Sequence, residues 1–268
     1  MNIKTLALFA TCGLWSVSAA GQDQGNEALA KQLANPIASL VSVPLQFNWD
    51  QDIGPVDDGS RIFLNAQPVL PFSISEDWNL ISRTILPVVS QEDIFPGAGS
   101  QFGLGDTVQS LFFSPKAPTS NGWIWGVGPV LLIPTGTDDL LSAEQWGAGP
   151  TAVALKQRGP WTYGALVNHV WSFAGDSDRP DVNNTFLQPF VSYTTPSAWT
   201  YALNTESTYN WDAEEWNVPV NLMASKVTRW GNQLVSVQGG LRYYLESTDG
   251  GPEGLGLRFA VTLLFPKS

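Results

Sequence analysis

The chain has 268 residues, 43% of them hydrophobic and only 14% charged, which is few charges for a soluble globular surface. Its formal charge of −11 excludes nucleic acid as a partner, because phosphates would be repelled. No apolar run approaches the roughly 18 residues that a transmembrane helix needs, so any membrane entry would have to use strands.

The first segment reads as an export signal: Lys4 gives a basic start, residues 5–17 an apolar stretch, and Ser18-Ala19-Ala20 a small-residue cleavage site. The expected mature chain begins at Gly21. A lipoprotein role for Cys12 is disfavoured by the poor lipobox Phe9-Ala10-Thr11 and by the apolar stretch that continues past it. Removal of the signal leaves no cysteine, hence neither disulfide nor thiolate site.

Residues 26–34 predict a short helix stopped by Asn35-Pro36, because proline disfavours helical geometry in the residue before it. This helix would lie in the periplasm or tuck into a barrel mouth. From Leu40 the period becomes two: Val41, Val43, Leu45, Phe47 and Trp49 alternate with Ser42, Pro44, Gln46 and Asn48. Comparable runs follow at residues 64–72, 78–88, 123–133, 161–171, 187–193, 199–211, 216–227, 235–244 and 257–265, with weaker ones at 106–114 and 147–156. The expected fold is all-β: one transmembrane antiparallel barrel of about 12 strands over residues 37–268, preceded by a periplasmic N-terminal segment at 21–36. Many runs reach about 9–11 residues, enough to cross a bilayer when tilted, whereas soluble strands usually hold about 5–6.

Tryptophans decide which face meets lipid. Trp78, Trp123, Trp161 and Trp199 each open a strand after a short turn, while Trp49, Trp146, Trp171, Trp211 and Trp216 lie at the opposite strand ends, as two aromatic girdles require. The alternative, a soluble barrel capped by tryptophans, would be too wide for side chains to fill. Acidic, mostly long connections at residues 50–60, 90–103, 135–145, 174–184, 212–215 and 246–254 alternate with short turns. Both termini are then expected in the periplasm and the long loops outside, beside lipopolysaccharide. Outer-membrane lipid, the insertion machinery and an unidentified small solute are the expected partners.

The ordered strings Gly103-Leu104-Gly105-Asp106, Gly126-Val127-Gly128-Pro129, Ile133-Pro134-Thr135-Gly136-Thr137-Asp138, Trp146-Gly147-Ala148-Gly149-Pro150 and Leu264-Phe265-Pro266-Lys267, with Asn35-Pro36 and Arg83-Thr84-Ile85-Leu86-Pro87, resemble a bacterial family labelled "transporter" or, misleadingly, neuromedin U. That family is similar to the outer-membrane barrels of the phenol-degradation meta-pathway type. The resemblance implies an outer-membrane channel-like barrel, with passive uptake of small hydrophobic or aromatic solutes by analogy alone. It carries no functional residues over.

If the apolar parity faces lipid, the lumen receives Gln46, Asn48, Asn65, Gln67, Arg83, Asn168, Gln188, Asn204, Glu206, Asn210, Gln238, Arg242 and Arg258. Arg83, Glu206, Arg242 and Arg258 are the candidate selectivity residues; the competing reading makes them structural ion pairs filling a narrow interior. An enzyme of the outer-membrane phospholipase type is disfavoured: the sole histidine, His169, stands three residues from Ser172, which places the two on opposite faces of a strand. Asp138, Asp139, Asp176, Asp178 and Asp181 read as solvated loop acids rather than a metal site. No phosphate-cradling loop or dinucleotide fingerprint occurs, so no cofactor is expected.

Overall fold

The computed structural model describes residues 16–266, with side chains from residue 25 onward. The expected signal residues Lys4 and Cys12 lie outside that range. A helix, α1 (Ser16–Leu33), runs through the expected cleavage point and starts ten residues before the predicted helix did. It ends where Pro36 forbids continuation, with Asn35 Oδ1 accepting the Ile37 amide at 3.0 Å.

The remainder is a closed antiparallel barrel of twelve spanning strands. They are β1 (Val41–Ile53), β2 (Gly59–Ala66, continued by Val69–Ser73), β3 (Trp78–Glu92), β4 (Ser100–Leu104, continued by Thr107–Pro115), β5 (Trp123–Ile133) and β6 (Gln145–Arg158). The second half comprises β7 (Trp161–Gly175), β8 (Asn183–Thr194), β9 (Trp199–Thr205, continued by Ser207–Asn210), β10 (Glu215–Asn217, continued by Pro219–Trp230), β11 (Gln233–Tyr244) and β12 (Glu253–Phe265). Each strand pairs with its neighbours in sequence, and β12 closes on β1 from Val41↔Phe265 to Trp49↔Leu257. Closure removes every sheet edge, which is what lets a sheet stand in hydrocarbon.

Strands run further than their apolar pattern at the long-loop end. β1 continues to Ile53 and β3 to Glu92, so Asp50, expected in a loop, is instead inside the wall. The outer face carries Phe47, Phe72, Val127, Tyr201, Leu222 and Phe259, all exposed, an apolar belt that water would not tolerate. Both tryptophan rows are exposed at the belt's rims. At the short-turn rim, Lys156 lies over Trp123 and Lys226 over Trp199, 4.7 and 5.4 Å from the ring centroids. Each pair is directly cross-strand, which sets the ammonium over the face of the ring.

Two prolines open the ladders. Pro129 and Pro150 face each other across β5 and β6. Lacking N–H groups, they interrupt β4–β5 between Ser110↔Val130 and Phe113↔Val127, and β6–β7 between Ala148↔Trp171 and Thr151↔Asn168. Gly128 and Gly149 permit the close approach that results: a Cβ at Gly149 would lie 1.8 Å from the His169 carbonyl oxygen. Gly149→Ala is therefore expected to cost about 1–3 kcal/mol, read as a lower urea midpoint and less of the heat-modifiable folded band on gel electrophoresis.

Candidate functional site

Inward positions form two unlike sectors. On β3 to β7 the lining includes an apolar cluster: Ile81, Phe112, Val153, Leu155 and Leu166 are buried together with Ile37, which the segment after α1 inserts from the barrel mouth. This apolar cluster stands beside the polar lumen residues that strand parity named and was not itself expected. In β3 both parities of Leu80-Ile81 are apolar, so alternation alone did not reveal that Ile81 points inward.

The mouth at which β1 begins and β12 ends is filled by α1. Ala30, with Leu29 and Leu33, packs on Ala198, Val227 and Leu264, which are inward or turn residues of the last strands. Gln157 donates to the Lys31 carbonyl at 2.7 Å and Asn79 to Ser39 Oγ at 2.8 Å, fixing the segment at both sides of the mouth. The Glu27–Lys31 pair, 2.7 Å apart with Glu on the N-terminal side, supports the last helical turns. Of the two places considered for this helix, the mouth is the one observed.

The polar sector holds an ion cluster on β1, β2, β9, β11 and β12. Arg258 donates from both terminal nitrogens to the two oxygens of Glu206, at 2.8 and 2.7 Å, and from Nε to Asn48 Oδ1 at 2.7 Å. Arg242 stands 4.0 Å from Glu206 and 3.8 Å from Asp50, with Phe63 and Tyr244 rings against its guanidinium. Asp50 also accepts from Arg61 at 3.1 Å and from the Tyr244 hydroxyl at 2.9 Å. Glu206 sits where β9 is interrupted, its amide bonded to the Pro219 carbonyl. From there it reaches across the interior to β12.

Of the four candidate residues, Glu206, Arg242 and Arg258 thus meet in one cluster, and Arg83 stands apart. No carboxylate forms an ion pair with Arg83 among the described residues; it donates to Gln67 Oε1 at 3.1 Å. Asp50, Arg61 and Tyr244 complete the cluster and were missed: a strand run ending at the rim tryptophan Trp49 makes the following acid look like loop.

Three cavities follow one another through the interior. The first, about 280 Å³, lies under the loop between β5 and β6, beside Arg61, Asn65 and Leu141. The second, about 300 Å³, shares Asn65 with it. The third, about 270 Å³, shares Gln46, Gln67, Arg83 and Gln188 with the second and ends against α1. The β5–β6 loop is folded inward by Asp106, which accepts from the Gly136 and Ala143 amides at 3.1 and 2.7 Å and from Ser142 Oγ at 2.7 Å.

This succession inside a closed, lipid-facing wall can be set beside known structures. No protein-family model matches the chain, and no curated protein matches it. An outer-membrane channel from Pseudomonas putida F1 superposes with a TM-score of 0.67 at 15% identity, over 85% of this chain and 96% of that one. The chain has the outer-membrane barrel fold. The barrel is also similar to outer membrane phospholipase A from Escherichia coli, at a TM-score of 0.50 and 12% identity over 83% of this chain and 90% of that one. The Salmonella typhi phospholipase dimer with bound calcium gives 0.50 and 11%, over 91% and 98%.

His169 lies on the outer wall near the loop-end rim, its ring 3.9 Å from that of Trp171. Trp211 Nε1 donates to Thr185 Oγ1 at 2.8 Å, and the Thr185 hydroxyl lies 2.7 Å from His169 Nδ1. The threonine oxygen accepts from Trp211 and has both a proton and a second lone pair to offer Nδ1, so either imidazole tautomer fits this contact; the other ring nitrogen is Nε2. That atom is buried without a partner. Among the described residues no carboxylate orients the ring, and Ser172 points inward to Asp181 at 3.0 Å. The arrangement serves an interfacial aromatic cluster; it lacks the base-and-orienter geometry that activates a nucleophile.

Proposed function

We propose that the barrel is an outer-membrane channel for small solutes, reached through export with removal of residues 1–20, with both termini in the periplasm and the acidic loops outside among lipopolysaccharide. The observation that carries this reading is the succession of three cavities, joined by shared polar side chains, along the lumen. Twelve strands enclose a width between barrels that side chains fill and open 16–18-stranded pores, so passage is restricted to small molecules. The family resemblance to meta-pathway-type barrels and the likeness to the Pseudomonas channel support the same reading.

Selectivity rests on the interior charges. Around the central cavity and the ion cluster, Arg61, Arg83, Arg242 and Arg258 face two carboxylates, Asp50 and Glu206, which leaves this zone positive in a chain that is strongly negative overall. Loop acids are solvated and screened within about 8 Å, whereas lumen arginines act at contact distance. The full chain in planar bilayers is expected to give discrete current steps favouring chloride over potassium. Arg83→Gln shifts the reversal potential toward cation preference without lowering folded yield. A folded, inserted barrel that stays silent would favour a structural barrel closed by α1 and Ile37.

A further inference from the structure

The central cavity is lined by both polar and apolar side chains. Toward β1 and β2 stand Gln46, Asn65 and Gln67, with the Arg83 guanidinium on β3; around the rest of the wall the apolar side chains Ile85, Val108, Leu132, Val170, Val182 and Phe186 are interleaved with Ser110, Asn168, Asn184 and Gln188. Arg61, Arg242 and Arg258 are each spent on Asp50 or Glu206. Arg83 alone among these lumen arginines forms no ion pair among the described residues, although Glu206 lines the same cavity, and its one side-chain hydrogen bond, to Gln67, leaves most of its five donors open to a ligand. A planar guanidinium with open donors matches a carboxylate in bidentate fashion.

The charge the cavity accepts is bounded as well. Glu206 lines the same space, its oxygens held by Arg258. A second negative charge on the ligand would approach that carboxylate with no cation left to meet it. A wholly polar ligand would leave the apolar wall in contact with water, and a wholly apolar one would strip water from Arg83 without replacing its hydrogen bonds.

We propose that the central cavity is a binding station for a small monocarboxylate with an apolar body, its carboxylate on Arg83 and its body against the Ile85, Val108, Leu132 and Phe186 wall. The proposal names the solute class for the channel described above and rests on that reading for passage, but not for binding.

The test is calorimetric titration of the full refolded chain with hexanoate, hexanamide, acetate and inorganic phosphate, alongside bilayer recordings of chloride current. Hexanoate is expected to bind saturably and best. Hexanamide, without the charge, and acetate, without four methylenes, bind at least about tenfold more weakly. Arg83→Gln lowers hexanoate affinity by about tenfold or more, while Arg83→Lys, which keeps charge but not the fork, falls between. If Arg83→Gln fails to fold, Arg83→Lys and Ile85→Asn carry the comparison, the latter weakening hexanoate and leaving acetate unchanged. Equal binding of hexanoate and hexanamide, phosphate binding as tight as hexanoate, or hexanoate affinity indifferent to Arg83 would overturn the station. Hexanoate binding with no chloride current would instead sink the channel reading and leave the station standing.

Discussion

Replacing Glu206 with alanine is expected to destabilise the barrel by about 3–5 kcal/mol, because it strands a buried guanidinium that has lost both charged hydrogen bonds. Arg258 is only 1% exposed, and its remaining partner, Asn48 Oδ1, is neutral. Arg242 would lose the same carboxylate and keep Asp50 at 3.8 Å, a partner already shared with Arg61 and Tyr244. The break also removes the contact that ties β9, at its interruption opposite Pro219, to β12. Glu206→Gln retains one acceptor and some of the geometry, so its loss should be smaller. The pair Glu206→Met with Arg258→Met removes both charges together and should recover most of the stability, since a buried ion pair replaced by apolar groups of similar volume is often near neutral. Urea unfolding of the three variants in lipid, followed by tryptophan emission, orders them. A single alanine variant as stable as the wild type would mean that water, not protein, satisfies Arg258.

How much of this was readable beforehand depended on which contrast the sequence offered. Where polar and apolar residues alternate cleanly, as in Val41 to Trp49 or Leu257 to Phe265, parity alone placed Asn48 and Arg258 inward, and the structure pairs them across β1 and β12. The tryptophans fixed the rims, and Trp123 and Ile133 bound their strand as the pattern predicted. Contrast failed where both parities are apolar, as around Ile81, Phe112 and Leu155, because burial inside a barrel and exposure to lipid select the same residue types. It failed again in lipid-facing polar positions. Ser82, Thr84 and Gln109 face outward but satisfy one another, with Thr84 donating to Gln109 Oε1 at 2.6 Å and Gln109 donating to Ser82 at 3.0 Å. Only cross-strand register, which pairs Thr84 with Gln109, makes that arrangement visible. The ion cluster was half legible for a related reason: Arg242, Arg258 and Glu206 stand out as charges within apolar strands, whereas Asp50 and Arg61 sit among the acids and glycine of a turn.

Deleting residues 21–35 is expected to raise single-channel conductance severalfold, the largest functional change that any variant here should produce. These residues include the part of α1 whose Ala30 and Leu33, with Ala34 and Asn35, form the floor of the third cavity. Without them that cavity opens directly to the terminal mouth, and current is limited next by the zone shared by Gln46, Gln67, Arg83 and Gln188. Anion preference should therefore persist while conductance rises, because the arginines are untouched. Removal of the Leu29, Ala30 and Leu33 contacts exposes Val227 and Leu264, at a stability loss of about 2–4 kcal/mol judged from burial of comparable side chains. Recordings of the deleted chain beside Gln157→Ala separate plug from tether: the point variant loses the bond to the Lys31 carbonyl and should flicker between the closed and open levels. If both variants conduct as the wild type does, the terminal segment is no barrier, and the constriction must lie at Arg83 and the ion cluster instead.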